Sequence, residues 1–353
     1  MVETKIIRID SFNPELKYIR MAASAIAKGK LVIIPTETVY GIAANMANTK
    51  AIRRLKEIKK RPEGKPFSLH IDIMDKVEEY ATDIPAVAYK LMFKFWPGPL
   101  TIIFKGKNFS TIGIRLPDDI ICRRIISHTE VPVVCPSANI SGKPAPTDFA
   151  QAIEQMNGLV DLALDAGPTR LGVESTVVDV TGSSVLVLRE GAIKKDEIEK
   201  IAQKKTVLFV CTGNSCRSVM AQALLQKRLK ENGRQDVEVL SAGLMQLAGI
   251  GASEATREVL LKEGIDVSKH ISQKVNRDIL HRSDIILVME RLHEEKILAI
   301  APEVKNRVFL LKEFAKLNNA NLDIADPIGK PLSFYEETMA VIKEAVEAVA
   351  ALI

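Results

Sequence analysis

Cys211 and Arg217, with Thr212, Gly213, Asn214, Ser215 and Cys216 between them and Ser218 following, carry the strongest covalent chemistry in the chain. A thiolate is a potent nucleophile, and the planar arginine fork can hold two phosphoryl oxygens at once. The stretch follows an apolar strand-like run, Thr206–Val210, and precedes a helical pattern opening at Val219-Met220-Ala221. Strand, tight loop and helix would bring loop amides and the positive helix end to one anion, and that field favours the Cys211 thiolate. Ser218, at the helix start, is placed to donate to the sulfur. The plain alternative is a buried cysteine in an ordinary turn, but the Gly, Asn and closing Ser agree on the phosphate-gripping loop. Asp326-Pro327 lies in a loop, Asn321–Lys330, before the last helical stretch, Ser333–Ile353. Alone it reads as a turn; beside the cysteine loop it offers the carboxylic acid that a leaving group requires.

The first 200 residues hold their polar groups in loops at strand ends. Pro35–Gly41 brings Thr36. A basic run follows, Lys50, Arg53, Arg54, Lys56, Lys59, Lys60, Arg61 and Lys65. Most of it reads as a solvated face, whereas Lys59 and Arg61 are expected at a loop rim because Pro62 and Gly64 break the helix. Further on stand His70, Arg115, Ser137, Asn139, Ser175, Thr176 and Arg189. Cations without matching carboxylates, beside hydroxyls and amides, describe a site for a polyanion such as a triphosphate. A groove making weak contact with RNA fits the same features.

A chain of 353 residues suits two domains. With 47% hydrophobic and 26% charged residues it has a globular composition, and no apolar run is long enough to span a bilayer. Four cysteines, two of them in one reactive loop, point to a reducing cytoplasm rather than a disulfide framework. The net charge of +5 is too mild to mark a nucleic-acid binder. The polar stretch Lys194–Lys205 separates unlike patterns, so domains over 1–203 and 204–353 are expected. In the first, strands are expected over Leu31–Ile34, Phe67–Ile71, Thr101–Phe104, Ile112–Leu116, Val131–Cys135, Ser175–Val180 and Val185–Leu188. Helices are expected over Pro14–Lys28, Thr49–Lys60, Ile84–Phe95 and Phe149–Met156. The fold class is α/β: a mixed N-terminal domain with a twisted many-stranded sheet, then a Rossmann-like parallel sheet with helices on both faces.

The loop Cys211–Ser218, Ser241-Ala242-Gly243 and Asp326-Pro327 together make residues 205–353 resemble the low-molecular-weight protein phosphatases. The resemblance implies that Cys211 attacks phosphorus while Arg217 and the loop amides of Thr212–Cys216 stabilise the equatorial oxygens. Asp326 then protonates the leaving group and afterwards activates water. It also implies a reversible Cys211–Cys216 disulfide. Ser215, Ile328-Gly329 and Val308–Glu313 are similar to the protein-arginine phosphatase branch, although that branch has Thr at 215 and an aromatic at 328. Phosphoarginine is therefore favoured over phosphotyrosine as the phosphoprotein substrate.

Residues 13–193 resemble the threonylcarbamoyl-adenylate synthases through PTETVYG, KPFSLH, WPGPLT, PSANISG and STVVD, which stand in family order. This implies that L-threonine, bicarbonate and ATP, assisted by Mg²⁺, give threonylcarbamoyl-AMP and pyrophosphate for a tRNA modification. Lys59, Arg61, Ser137, Asn139, Ser175 and Arg189 are the implied nucleotide ligands. Thr36, His70, Arg115 and Thr176 are the implied threonine ligands, and no protein metal ligand is implied. Glu190 is a departure, since many synthases carry proline there.

Overall fold

Apolar residues at every second position decide how the first sheet is used. The structure, a computed structural model, describes residues 2–61, 66–245, 249–317 and 321–353, so Pro62, Gly64 and Lys65 of the basic run lie outside the described residues. It divides into two units, Met1–Ala202 and Gln203–Ile353.

The first unit contributes β1 (Lys5–Arg8), β2 (Val32–Ile34), β3 (Gly41–Asn45), β4 (Leu69–His70), β5 (Ala81–Thr82), β6 (Leu100–Gly106), β7 (Thr111–Arg115), β8 (Val133–Val134), β9 (Leu162–Asp165), β10 (Thr176–Asp179) and β11 (Leu186–Arg189). They form one mixed sheet in the order β1-β9-β2-β3-β8-β4-β7-β6-β10-β11, with β5 on β6. Leu100, Ile102 and Phe104 of β6, Ile112 and Ile114 of β7, and Val178 of β10 face one hydrophobic core. Their neighbours in sequence necessarily face the other way, and there the cavity lies. Helix Ala86–Phe95 covers the core face. The helices Leu16–Ala27 and Thr49–Lys59 pack against β2 and β3 in two further cores. Ile19, Ala22, Ala23 and Ile26 of the first are buried at the three- and four-residue spacing of one helix face. Asn48 caps the second by accepting from the Ala51 amide, a contact worth about 1 kcal/mol.

Four strands of the first unit, β1, β3, β5 and β9, and the helices Val77–Tyr80 and Ile120–Ser127 go beyond the sequence expectation. Apart from Ile42, β3 (GIAAN) is made of small residues with weak strand preference, and it is held by antiparallel pairing to β2 and β8. β1 and β9 form a parallel pair at the sheet edge. Helix Ile120–Ser127 is short and rich in isoleucine, and Asp119 initiates it by accepting from the Cys122 amide.

The second unit contains β12 (Lys205–Cys211), β13 (Val237–Gly243), β14 (Ile285–Val288) and β15 (Val308–Leu310), all parallel, in the order β13-β12-β14-β15. Val207 and Phe209 face the core made with helices Arg217–Glu231 and Leu332–Leu352. Leu208 and Val210 face the core made with helices Arg277–Arg282 and Arg291–Ile300. This is the parallel sheet with helices on both faces that the pattern implies. Cys211 ends β12, at the carboxyl edge where open parallel sheets hold ligands.

Candidate active sites

The alternation of β4, β6, β7 and β10 builds the first site. A cavity of about 500 Å³ is lined by His70, by Thr101 and Ile103, by Thr111, Gly113 and Arg115, and by Ser175 and Val177. Thr36, Arg61, Ser137, Glu174 and Arg189 complete its polar wall. Seven sequence-predicted residues thus meet around one space: Thr36, Arg61, His70, Arg115, Ser137, Ser175 and Arg189.

Three others do not line it. Thr176 is out of phase with Ser175 and Val177. Its Oγ1 donates to the Ile193 carbonyl at 2.6 Å and accepts from the Gly191 and Ile193 amides at 3.0 Å, fastening the segment after β11. Lys59 is 2% exposed rather than at a rim, because its ammonium turns inward to the Ser137 and Asn139 carbonyls and the Asn139 Oδ1. Burial and the nearby Arg61 charge lower its pKa to about 8. Asn139 in turn accepts from Ser137 Oγ at 2.6 Å, so Lys59 and Asn139 shape the loop that presents Ser137.

The cations are not free of carboxylates, which corrects the sequence reading. Arg115 pairs with buried Glu37 at 2.7 Å and also donates to Thr38 Oγ1 at 2.9 Å. Arg189 pairs with Glu174 at 2.6 Å and donates to Ser175 O and Oγ at 2.9 and 3.1 Å. Glu37 and Glu174 were missed because their partners are distant in sequence. Arg61 stacks over Phe67 at 4.7 Å, and burial with the like charge of Arg189 lowers its pKa. Both arginines line the cavity, and a bound anion would offset the repulsion that Arg61 feels from Arg189. Glu190 is turned away: it accepts from Lys194 Nζ and the Lys195 amide, at the start of helix Lys195–Gln203.

His70 is buried, and desolvation with the Arg115 charge pushes its pKa from 6.5 down to about 3. A depressed imidazole pKa means that the unfolded chain takes up this proton first. The first unit should therefore lose stability as pH falls from 6.5 towards 3. Denaturant unfolding at pH 7 and pH 5, followed by the fluorescence of the single tryptophan, Trp96, measures this; His70→Asn should flatten the dependence.

The second site is the loop after β12. Cys211 Sγ lies 3.0 Å from Ser218 Oγ and 3.3 Å from the Asn214 amide. Asn214 adopts the left-handed conformation, φ 54°, which asparagine tolerates better than most residues. Its side-chain amide donates to Ser218 Oγ and Ser241 Oγ at 3.0 and 2.8 Å, and its Oδ1 accepts from the Gln273 amide at 3.0 Å. Gly243 approaches the loop so closely that a Cβ would fall 2.8 Å from Gly213 C and 2.9 Å from Asn214 N. Thr212, Gly213, Ser215 and Cys216 complete the turn, and Cys216 Sγ sits 3.4 Å from Ser253 Oγ with both cysteines unpaired.

Arg217 is almost wholly buried. It donates to the carboxylates of Glu290 and Asp326, to the Ile324 carbonyl at 2.7 Å and to Thr212 Oγ1 at 3.2 Å. Cys211, Arg217, Ser218 and Asp326 thus converge, over 100 residues apart in the chain for the last pair. Asp326 Oδ1 accepts from the Ile328 amide at 3.1 Å, fixing its turn, and Ile328 is exposed beside it. Glu290 and His293 were not foreseen, since they follow β14 and approach only through the sheet order. His293 Nε2 is 3.0 Å from Thr212 Oγ1, and burial with the Arg217 charge lowers its pKa to about 4.

Two family models match: "Telomere recombination", the Sua5/YciO/YrdC family, over residues 24–191, and "Low molecular weight phosphotyrosine protein phosphatase" over 206–353. The threonylcarbamoyl-AMP synthase of Pyrococcus abyssi is 32% identical over 334 residues, spanning 86% of this chain and 96% of that protein. A probable low molecular weight protein-tyrosine-phosphatase of Ralstonia nicotianae is 40% identical over 144 residues, spanning 41% of this chain and 92% of that protein. The chain belongs to both families. The crystal structure of P. abyssi Sua5 complexed with L-threonine covers 87% of this chain and 99% of its own, with 27% identity and a TM-score of 0.54. The chain thus joins a synthase unit of the Sua5 type to a low molecular weight phosphatase unit, and both are enzymes. Among the described residues no helix is long and apolar enough to cross a membrane.

Proposed function

We propose that the domain over residues 1–203 condenses L-threonine, bicarbonate and ATP into threonylcarbamoyl-AMP and pyrophosphate. The observation that carries this is the cavity lined by both Arg61 and Arg189 beside Ser137 and Ser175. The threonine amine and bicarbonate give a carbamate with loss of water, and the carbamate oxygen attacks the α-phosphorus as pyrophosphate departs. Arg61 and Arg189 neutralise phosphate charge, while Ser137 and Ser175 hold nucleotide oxygens. Lys59 and Asn139 act through the Ser137 loop, and Thr36, His70 and Arg115 line the threonine side, with Thr176 supporting it from behind. Neutral His70 accepts or donates a hydrogen bond there without adding charge. Among the described residues Glu174 is the one carboxylate lining the cavity, and it is paired with Arg189, so Mg²⁺ would be held there chiefly as a companion of the triphosphate. When bound, the ion offsets charge developing on the leaving pyrophosphate. Catalysis is positioning and charge neutralisation, with no side-chain nucleophile.

The domain over 204–353 hydrolyses phosphoproteins through a phosphocysteine. Cys211 attacks phosphorus, the loop amides and Arg217 take the equatorial oxygens, Ser218 steadies the sulfur, and Asp326 is acid and then base. The convergence of Cys211, Arg217 and Asp326 supports this. Phosphoarginine is the favoured substrate. Ser215 is small, Ile328 leaves no ring to stack on a phenol, and Asp326 can both accept from a guanidinium and protonate it. Competing phosphoarginine and phosphotyrosine peptides on the full chain test this. Preference for phosphoarginine is expected; preference for phosphotyrosine would overturn the substrate while leaving the Cys211 chemistry in place.

A further inference from the structure

We propose that His293 is a positioning residue of the phosphatase site, which makes the Thr212 hydroxyl a donor to the bound phosphoryl group. The inference rests on the phosphatase reading above. His293 is buried in the first turn of helix Arg291–Ile300, where its amide donates to the Glu290 carbonyl at 2.9 Å. Its Nε2 lies 3.0 Å from Oγ1 of Thr212, the residue that follows the Cys211 nucleophile, although 81 positions separate the two in the chain.

Counting protons fixes the direction of that bond. A hydroxyl has one proton and two acceptor sites. One acceptor site of Thr212 Oγ1 is taken by Arg217 Nη2, 3.2 Å away, since a guanidinium can only donate. If the imidazole Nε2 accepted, Thr212 would give its only proton to the ring, and the ring's own proton would sit on Nδ1. Among the described residues, Nδ1 is buried with no hydrogen-bond partner. An orphaned buried N–H is the rarer and costlier defect than a bare lone pair. The ring therefore carries its proton on Nε2 and donates it. Thr212 Oγ1 then accepts twice, from His293 and from Arg217, and its own proton is left for an oxygen of the phosphoryl group. A single ring thus orients one loop hydroxyl and, through it, steadies the Arg217 Nη2 that also donates to Asp326.

A double-mutant cycle on the full chain tests this, read by turnover of p-nitrophenyl phosphate and by binding of inorganic phosphate. His293→Ala and Thr212→Val should each lower kcat/KM and phosphate affinity by about ten-fold or more, the scale of a lost hydrogen bond to a charged group. The double variant should be no worse than either single one. His293→Gln, which returns an N–H near the Nε2 position, should recover most of the loss, and His293→Leu should not. Wild-type behaviour in Thr212→Val, or fully additive losses in the cycle, would overturn the inference. Should His293→Ala fail to fold, Thr212→Val and the Gln–Leu comparison still decide. A wild-type chain that neither binds phosphate nor turns over the ester would instead refute the phosphatase reading, a separate result.

Discussion

Cys211→Ser should abolish phosphate ester hydrolysis by the chain, a fall of at least about 10⁴-fold, while inorganic phosphate still binds. The asymmetry follows from the geometry. The sulfur receives a hydrogen bond from the Asn214 amide and lies beside Ser218 Oγ, contacts suited to a thiolate. A serine hydroxyl at the same position keeps its proton and is a poor nucleophile there. The loop amides, Arg217 and the start of helix Arg217–Glu231 are untouched, so the anion cradle persists. Ester turnover and calorimetric phosphate binding, measured on one preparation, separate the two effects. Loss of both together would mean that the substitution collapses the loop.

The second large effect is expected in the synthase unit. Arg189→Ala should reduce pyrophosphate formation by about 10²–10³-fold, the scale seen when one charge-stabilising donor is removed. Arg189 does three things at once. It faces the cavity with a positive charge, holds Ser175 O and Oγ, and balances the Glu174 carboxylate. Its removal leaves Glu174 without this partner in the wall of the proposed triphosphate site, so repulsion is added to lost attraction. The KM for ATP should rise most. Glu174→Gln in the same chain should restore part of the affinity, because it removes the repulsion without returning the cation. Absence of any rescue would mean that Glu174 does not face the nucleotide.

The phosphate loop was legible because its chemistry is contiguous: Cys211, Arg217 and Ser218 are brought together by one strand–loop–helix turn. Asp326 could be added because an acid is required, and a turn beside the last helix could supply it. Glu290 and His293 were not legible, since the parallel order β12-β14 alone brings the end of β14 beside that loop. In the first unit the alternation of β6, β7 and β10 was written in the sequence, and applied to Ser175-Thr176-Val177 it separates Thr176 from the cavity. Lys59 misled for a different reason. The helix break at Pro62 and Gly64 suggested a rim, whereas three oxygen acceptors of the Ser137–Asn139 loop hold it inside. β3 went unseen because small residues carry little strand preference, and its neighbours in the sheet determine its conformation.

That one chain carries two separate chemistries is tested most directly by assaying both in wild type and in Cys211→Ser. Pyrophosphate release would be followed with ATP, L-threonine and bicarbonate, each omitted in turn, alongside hydrolysis of an aryl phosphate. The expected result is pyrophosphate release that needs all three substrates and is unchanged by Cys211→Ser, with ester hydrolysis lost. Pyrophosphate release that ignores threonine or bicarbonate, or that disappears with Cys211, would contradict the account.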